Sequence, residues 1–174
     1  PGIGGGPHIM VIDPLTGAVK SSFFAYNTNF RGGVVVAVGD INGDGIVDIV
    51  TGAGPGGGPN VRVFDGTNNQ LILDFMAYAP TFMGGVSIAL GDVNGDGRLD
   101  IITGAGAGGA PHVKAFDAIS GNELLSFMAY DSSFLGGIFV AAGDLYGNGS
   151  TQIVTGTGFG GAAHVKIFES RTLA

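Results

Sequence analysis

The sequence contains no cysteine, few basic residues and no long hydrophobic run. Without cysteine, its 174 residues can form no disulfide, no thiolate metal site and no cysteine nucleophile. The longest apolar runs, such as residues 34–38, are far shorter than the ~20 residues that cross a bilayer, so we expect no membrane insertion. Lys and Arg number 7 against 14 Asp and Glu; the resulting formal charge of −7 argues against a nucleic-acid partner.

Glycine and hydrophobic residues are abundant instead. Glycine supplies 35 of the 174 residues, and 45% of the residues are hydrophobic while only 12% are charged. That hydrophobic content is too high for a disordered chain. Collagen is excluded because no Gly-X-Y register persists. The length is typical of one domain, so we treat residues 1–174 as a single folded segment.

An internal repeat with a step of 52 residues organises the chain. The segment 39–45 recurs at 91–97 and, with changes, at 143–149. Residues 39–90 and 91–142, compared without gaps, are identical at 27 of 52 positions. The chain therefore consists of a partial unit 1–38, two complete units 39–90 and 91–142, and a partial unit 143–174.

Each unit predicts four short β-strands and no helix. Around the second complete unit, the predicted strands cover residues 86–90, 99–103, 112–116 and 123–130. Four antiparallel strands repeated in tandem are typical of the blades of a β-propeller. The sequence therefore predicts an all-β fold with four-stranded antiparallel blades and about three blades per chain. Its 13 strands divide as two, four, four and three.

The blade number raises the question of how the ring closes. Propellers typically need ~4–8 blades, which is more than this chain holds. The chain is then either a fragment of a longer propeller or a subunit that closes its ring by association. We favour a homo-oligomer, a dimer that contributes three blades from each chain.

Two loops carry a pattern of oxygen ligands that predicts calcium. Side chains at loop positions 1, 3, 5 and 9 and the carbonyl at position 7 suit a cation that takes 6–8 oxygen ligands, and the glycine at position 6 permits the turn. The predicted ligands are Asp40, Asn42, Asp44, Ile46 and Asp48 in the first loop, and Asp92, Asn94, Asp96, Arg98 and Asp100 in the second. The alternative is a pair of Asx turns without metal.

The two loops are not EF-hands. An EF-hand requires Glu at position 12, where these loops have Thr51 and Thr103, and it is flanked by helices rather than strands.

The third loop has lost most of the ligand pattern. It starts at Asp144 but has Tyr146, Asn148 and Gln152 at positions 3, 5 and 9. With one carboxylate left, we expect weak calcium binding there or none.

The Asp-x-Asn-x-Asp-Gly-x-x-Asp loops, the segment 51–55 that follows the first of them, and the Phe-x-Gly-Gly segment 82–85 resemble FG-GAP/VCBS repeats, the blades of integrin α-subunit-like propellers. The resemblance covers essentially the whole chain. It implies calcium in the loop between the first and second strands of each blade. It also implies an extracellular or cell-surface location and a role in adhesion or ligand binding.

No group of residues predicts an enzyme. The Gly-x-Gly-x-x-Gly pattern that begins at Gly52 is followed by neither a helix nor a phosphate-loop lysine, so we expect no nucleotide site. No serine has a histidine in an adjacent motif. We therefore expect a non-enzymatic module whose protein or glycan ligand docks on the face opposite the calcium loops. A glycan-binding lectin and a repeat scaffold without its own ligand remain alternatives.

Overall fold

A computed structural model describes residues 1–171 of the chain as 13 β-strands in four antiparallel sheets. The strands are β1 His8–Ile12, β2 Val19–Phe24, β3 Val34–Gly39, β4 Asp48–Ala53, β5 Asn60–Phe64, β6 Leu71–Met76, β7 Val86–Gly91, β8 Asp100–Ala105, β9 His112–Phe116, β10 Glu123–Met128, β11 Ile138–Gly143, β12 Gln152–Thr157 and β13 Val165–Glu169. The described residues contain no helix that could cross a membrane.

The sheets follow the chain in order and confirm the predicted division of strands. β1 and β2 form a two-stranded sheet, β3–β6 and β7–β10 form complete four-stranded sheets, and β11–β13 form a three-stranded sheet. Strand bounds differ from the prediction by one or two residues; β10, for example, ends at Met128 rather than Tyr130. Antiparallel pairing places the loops between first and second strands on one side of the sheets, and the loops between second and third strands on the other.

The sheets stack through their faces, with their first strands side by side. β7 contacts β3 and β4 of the preceding sheet, and β11 contacts β7 and β8. The second strands β4 and β8 are buried along their whole length because a neighbour covers each face. The hydrophobic core therefore lies between sheets, as in a propeller. The ring is not closed within the described residues.

A repeated aromatic contact joins each sheet to the next. The Tyr78 hydroxyl donates to the carbonyl oxygen of His112 at 2.8 Å, and Lys114 Nζ lies 5.8 Å from the Tyr78 ring centre. The rings of Phe75 and Phe116 are 4.8 Å apart across the same boundary. Equivalent contacts occur at Tyr26 and Tyr130, one repeat before and after. These tyrosine and phenylalanine positions are therefore packing positions between blades.

Glycines allow close backbone contacts at the ends of the strands. The Gly106 amide donates to the carbonyl of Gly85 at 3.0 Å, and the Gly54 amide donates to that of Gly33 at the same distance. Each of these bonds extends the ladder between the first and second strands of one sheet. A Cβ atom on Gly106 would overlap the carbonyl oxygen of Gly84, just before β7. Between sheets, a Cβ atom on Gly85 would lie 2.6 Å from the carbonyl carbon of Gly54. Part of the glycine excess is thus a requirement of these close contacts, beyond the turns that the sequence indicates.

The last sheet leaves one face uncovered, and the first complete sheet leaves its first strand, β3, uncovered on the side toward the preceding sheet. Val165 in β13 is 64% exposed, whereas its repeat equivalents Val61 and Val113 are fully buried by the sheet that follows them. On the opposite side, Val38 in β3 is 63% exposed, whereas its equivalent Leu90 packs against the preceding sheet. Since the same repeat positions are covered between complete sheets, both faces have the composition of a blade interface.

Candidate metal loops and the glycine-rich face

The first predicted metal loop, residues 40–48, curls around its own backbone. Both Asp40 oxygens accept backbone N–H groups, from Gly43 at 2.8 Å and Gly45 at 2.9 Å. These two glycines have φ angles of +79° and +84°, which produce the tight curl. The side chains of Asn42 and Asp44 meet at 3.1 Å. Asp48 is fully buried at the start of β4 and accepts the Ile41 amide at 2.9 Å.

The second loop, residues 92–100, repeats these contacts in detail. Asp92 accepts the Gly97 amide at 2.9 Å, Asn94 and Asp96 meet at 3.0 Å, and Asp100 accepts the Val93 amide at 2.9 Å. Burial, together with the negative charges of Asp96 and Asp92, raises the pKa of Asp100 to about 6. The neighbouring carboxylates of this loop therefore disfavour the ionised form of Asp100.

The residues at position 7 of the two loops, Ile46 and Arg98, lie in the curled segment next to solvent. Ile46 is 45% exposed, and its amide donates to Asp44 at 2.7 Å. The Arg98 amide donates to Asp96 at 2.9 Å in the same way. Both carbonyls thus belong to the curled segment that carries the predicted side-chain ligands.

The residues fit calcium by the chemistry of their donor set. Each loop offers oxygen donors alone, three carboxylates and one amide oxygen among them, which is the set that a hard cation prefers. In residues 1–171, however, no three acidic or histidine side chains are arranged around a common metal position. Their oxygens instead accept backbone N–H groups, the Asx-turn arrangement. Calcium in these loops stays a prediction.

The third loop, residues 144–152, keeps the curl without the acids. Asp144 accepts the amides of Asn148 and Gly149, and these bonds with the backbone hold the pKa of its carboxyl below the usual value. Gln152 occupies the buried position of Asp48 and Asp100. The loop conformation therefore does not depend on having three carboxylates.

The opposite side of the sheets is rich in glycine and almost free of charge. We call it the glycine-rich face; its loops are residues 1–7, 25–33, 53–59, 77–85, 105–111, 129–137 and 157–164. Among their residues, Arg31, Asp131 and His164 are the only acidic or basic ones. Large apolar side chains are exposed there at repeated positions, including Met83, Leu135 and Phe159.

An open cavity of about 430 Å³ lies on the glycine-rich face where the repeats converge. Its walls come from equivalent positions of successive repeats, such as Val35, Ser87 and Phe139, and from glycine backbone. Convergence of all repeats places it at the mouth of the propeller axis. Its apolar lining suits an uncharged group.

The fold also brings together side chains that no sequence motif links. His112 Nε2 lies 2.7 Å from Ser126 Oγ, and His8 Nε2 lies 2.8 Å from Ser22 Oγ. Each pair sits on two adjacent strands, 14 residues apart, so no adjacent motif could reveal it. Because the pair recurs in two sheets and not at a single cleft, it is best explained as a cross-strand contact.

Part of the chain is similar to a known family of repeats. Residues 40–103 match the family model described as an FG-GAP-like repeat. Integrin alpha-V of Gallus gallus is 33% identical over 95 residues, which cover 53% of this chain and 8% of the integrin. The matched family segment includes both complete aspartate loops, in agreement with the resemblance that their motifs indicate.

One solved structure supports the architecture. The exotype rhamnogalacturonan lyase YesX superimposes with a TM-score of 0.53 at 11% identity, over 95% of this chain and 34% of the lyase chain. The rhamnogalacturonan lyase PL11 of Bacillus licheniformis has a TM-score of 0.41 at 15% identity, over 79% of this chain and 34% of its own. At its low identity, the first likeness concerns the fold alone. The chain spans only a small part of the proteins that it matches.

Proposed function

We propose that this chain, whose repeats are FG-GAP-like and similar to those of an integrin α subunit, is a non-enzymatic, calcium-stabilised propeller module for adhesion or ligand binding. The observation that carries the proposal is the pair of complete aspartate loops inside the segment 40–103 that matches the repeat family. Adhesion proteins of this kind work outside the cell, so we propose an extracellular or cell-surface location.

Calcium would act as a structural ion in this module. It would be held by Asp40, Asn42, Asp44 and Asp48 with the Ile46 carbonyl in one loop, and by Asp92, Asn94, Asp96 and Asp100 with the Arg98 carbonyl in the other. A bound cation neutralises carboxylates that would otherwise repel one another. The unbalanced charge around Asp100 and the all-oxygen donor set support this role.

Calorimetric titration of the calcium-free protein tests the metal proposal. We expect two bound calcium ions per chain, because loops one and two have the full donor set and loop three has one carboxylate. Asp92→Asn should remove one of the two ions. A stoichiometry of zero, or a third site as strong as the other two, would contradict the assignment.

The glycine-rich face is the proposed docking surface for a ligand. Nearly all charge lies elsewhere. Phe159 lines the axial cavity, and Met83 and Leu135 expose apolar surface on the same face. Exposed apolar patches with this placement commonly mark interaction sites. Since loops rather than strands form this face, ligand specificity can differ among proteins with the same blades.

Binding of a glycan is the second candidate function. A pocket of about 280 Å³ between the second and third sheets is lined by Tyr78 and Phe82, with His112 and Lys114 as polar groups. Aromatic rings beside polar groups suit a sugar, which has an apolar face and hydroxyls. A glycan array probed with calcium-loaded protein separates the candidates, since a protein-specific module should give no signal.

We further propose that two chains close one six-bladed ring. The uncovered face of the last sheet carries Phe139, Val165 and Ile167, and that of the first complete sheet carries Val36 and Val38. These positions are the ones that pack against each other where complete sheets meet. A second copy can therefore cover β3 with its β11 and β12. Its β13 has the same repeat position as β1, which already packs on the first complete sheet through Ile9, so one of these two strands must give way at each boundary.

Gly156→Val tests ring closure. A Cβ on the equivalent Gly52 would lie 2.6 Å from Ile88 Cδ1, whereas the space beside Gly156 is open in the single chain. Valine at 156 should therefore leave the thermal stability of the single chain nearly unchanged but block association. Light scattering should give a dimer for the parent protein and for the near-isosteric control Thr81→Val, and a monomer for Gly156→Val. A monomeric parent, or a dimer that survives the substitution, argues against closure through this face.

A further inference from the structure

The last position of each aspartate loop ties the loop to its sheet. In loops one and two this position is a buried aspartate, Asp48 or Asp100, which accepts the amide of the second loop residue at 2.9 Å. The other oxygen of Asp48 accepts the Gly66 amide at 2.9 Å, in the turn after β5. The carboxylate thus links the loop between the first and second strands to the turn between the third and fourth.

Loop three makes the same link with an uncharged group. Gln152, fully buried, accepts the Leu145 amide through Oε1 at 2.7 Å, as the aspartates accept Ile41 and Val93. Its Nε2 donates to Glu169 Oε2 at 3.0 Å. The amide therefore replaces both functions of the aspartate, with an acceptor toward the loop and a donor toward the last strand.

Glu169 also differs from the residue at its position in the other repeats, and this difference accompanies the change to Gln152. It occupies the repeat position of Asp65 and Asp117, whose carboxylates accept amides within their own turns. Glutamate has one more methylene than aspartate, and here its carboxylate reaches Gln152 on the neighbouring strand β12. The two substitutions in this repeat complement each other, because a donor and an acceptor appear together.

We propose that the Gln152–Glu169 pair holds loop three in its curled conformation without a cation, so that the last sheet, β11–β13, is the calcium-independent sheet of the chain. Asp144 is the only carboxylate left in this loop, and its two oxygens accept the amides of Asn148 and Gly149. No group of like charges then needs a cation for closure. The contrast between loop three and the other two loops rests on the proposed calcium binding in loops one and two. The contact between Gln152 and Glu169 does not depend on that proposal.

Glu169→Ala and Glu169→Gln test the locking contact. Alanine removes the acceptor and leaves Gln152 Nε2 buried without a partner, which should lower the Tm by roughly 3–8 °C in calcium and in chelator alike. Glutamine keeps an acceptor oxygen and should restore most of the loss. The side-chain amide signals of Gln152 in NMR spectra should lose their protection from exchange in Glu169→Ala only.

The outcomes separate this inference from the proposed function. If Glu169→Ala leaves both the Tm and the Gln152 signals unchanged, the proposed role of the Gln152–Glu169 contact is wrong, whether or not calcium binds. If chelation does not affect the parent protein but Glu169→Ala destabilises it, the role of this contact is supported and the calcium proposal is wrong.

A repair variant tests why loop three differs. Tyr146→Asn, Asn148→Asp and Gln152→Asp together restore the donor set of loops one and two, so calorimetry should detect three calcium ions per chain in place of two. The single variant Gln152→Asp should lose the contact with Glu169, since two carboxylates repel each other, and should be destabilised in chelator. Three ions bound by the parent protein would overturn the assignment of loop three as cation-independent.

Discussion

Removal of calcium is expected to lower the Tm of the protein by about 10–20 °C. A ligand present at a hundred times its Kd stabilises the folded state by about 2.7 kcal/mol per site, so two sites contribute about 5 kcal/mol. For a domain of this size, about 1 kcal/mol corresponds to roughly 2–4 °C. Differential scanning calorimetry in calcium and in chelator measures the shift.

Matched variants assign the shift to individual loops. Asp92→Asn should remove about half of the calcium-dependent shift, whereas Asp144→Asn, the same change in loop three, should leave it intact. Magnesium should restore little stability, because it demands a smaller and more regular set of ligands than calcium. Equal Tm values with and without calcium would mean that the aspartate loops are metal-free Asx turns.

Substitution of Gly106 by alanine is expected to have the second large effect. The added Cβ would overlap the carbonyl oxygen of Gly84 and disturb the amide contact with Gly85, and both partners are backbone. Backbone cannot turn aside as a side chain can, so the segment that leads into β7 must move away from the end of β8. We expect a loss of about 3 kcal/mol or more, in the range of severe packing errors, measured by urea denaturation.

Gly2→Ala is the matched control for Gly106→Ala. Gly2 occupies the same repeat position, but a Cβ there meets no atom within 4 Å. Both variants change the unfolded chain in the same way, so their difference isolates the backbone contact beside Gly106. Similar stabilities for the two variants would show that residues 84–85 do not approach Gly106 as closely as described.

Much of the fold was predictable because the residues that define the repeat lie close together in the sequence. The step of 52 residues, the alternation of strands with glycine-rich turns and the spacing from Asp40 to Asp48 all lie within one unit. Comparing units supplied the strand count of 13 and singled out loop three as different. The FG-GAP-like match of residues 40–103 agrees with the same motifs.

Side-chain contacts between paired strands could not be predicted in this way. His112 and Ser126 meet because β9 and β10 pair with a particular register, and Gln152 meets Glu169 for the same reason between β12 and β13. Neither pair follows a sequence pattern that repeats in all units. Strand pairing and side-chain length decide such contacts together.

The sequence alone therefore determined the all-β class, the blade pattern and the oxygen-rich loops, since each depends on residues close together in the chain. Only the tertiary structure decided which glycines meet other backbone and which valines stay uncovered. Gly106 and Gly2 have the same repeat position, but only Gly106 has the start of a paired strand beside it. Val113 and Val165 also share a repeat position, but only Val113 is covered by a following sheet. Strand pairing and sheet stacking bring together residues that are far apart in the chain, so no local pattern could show these differences.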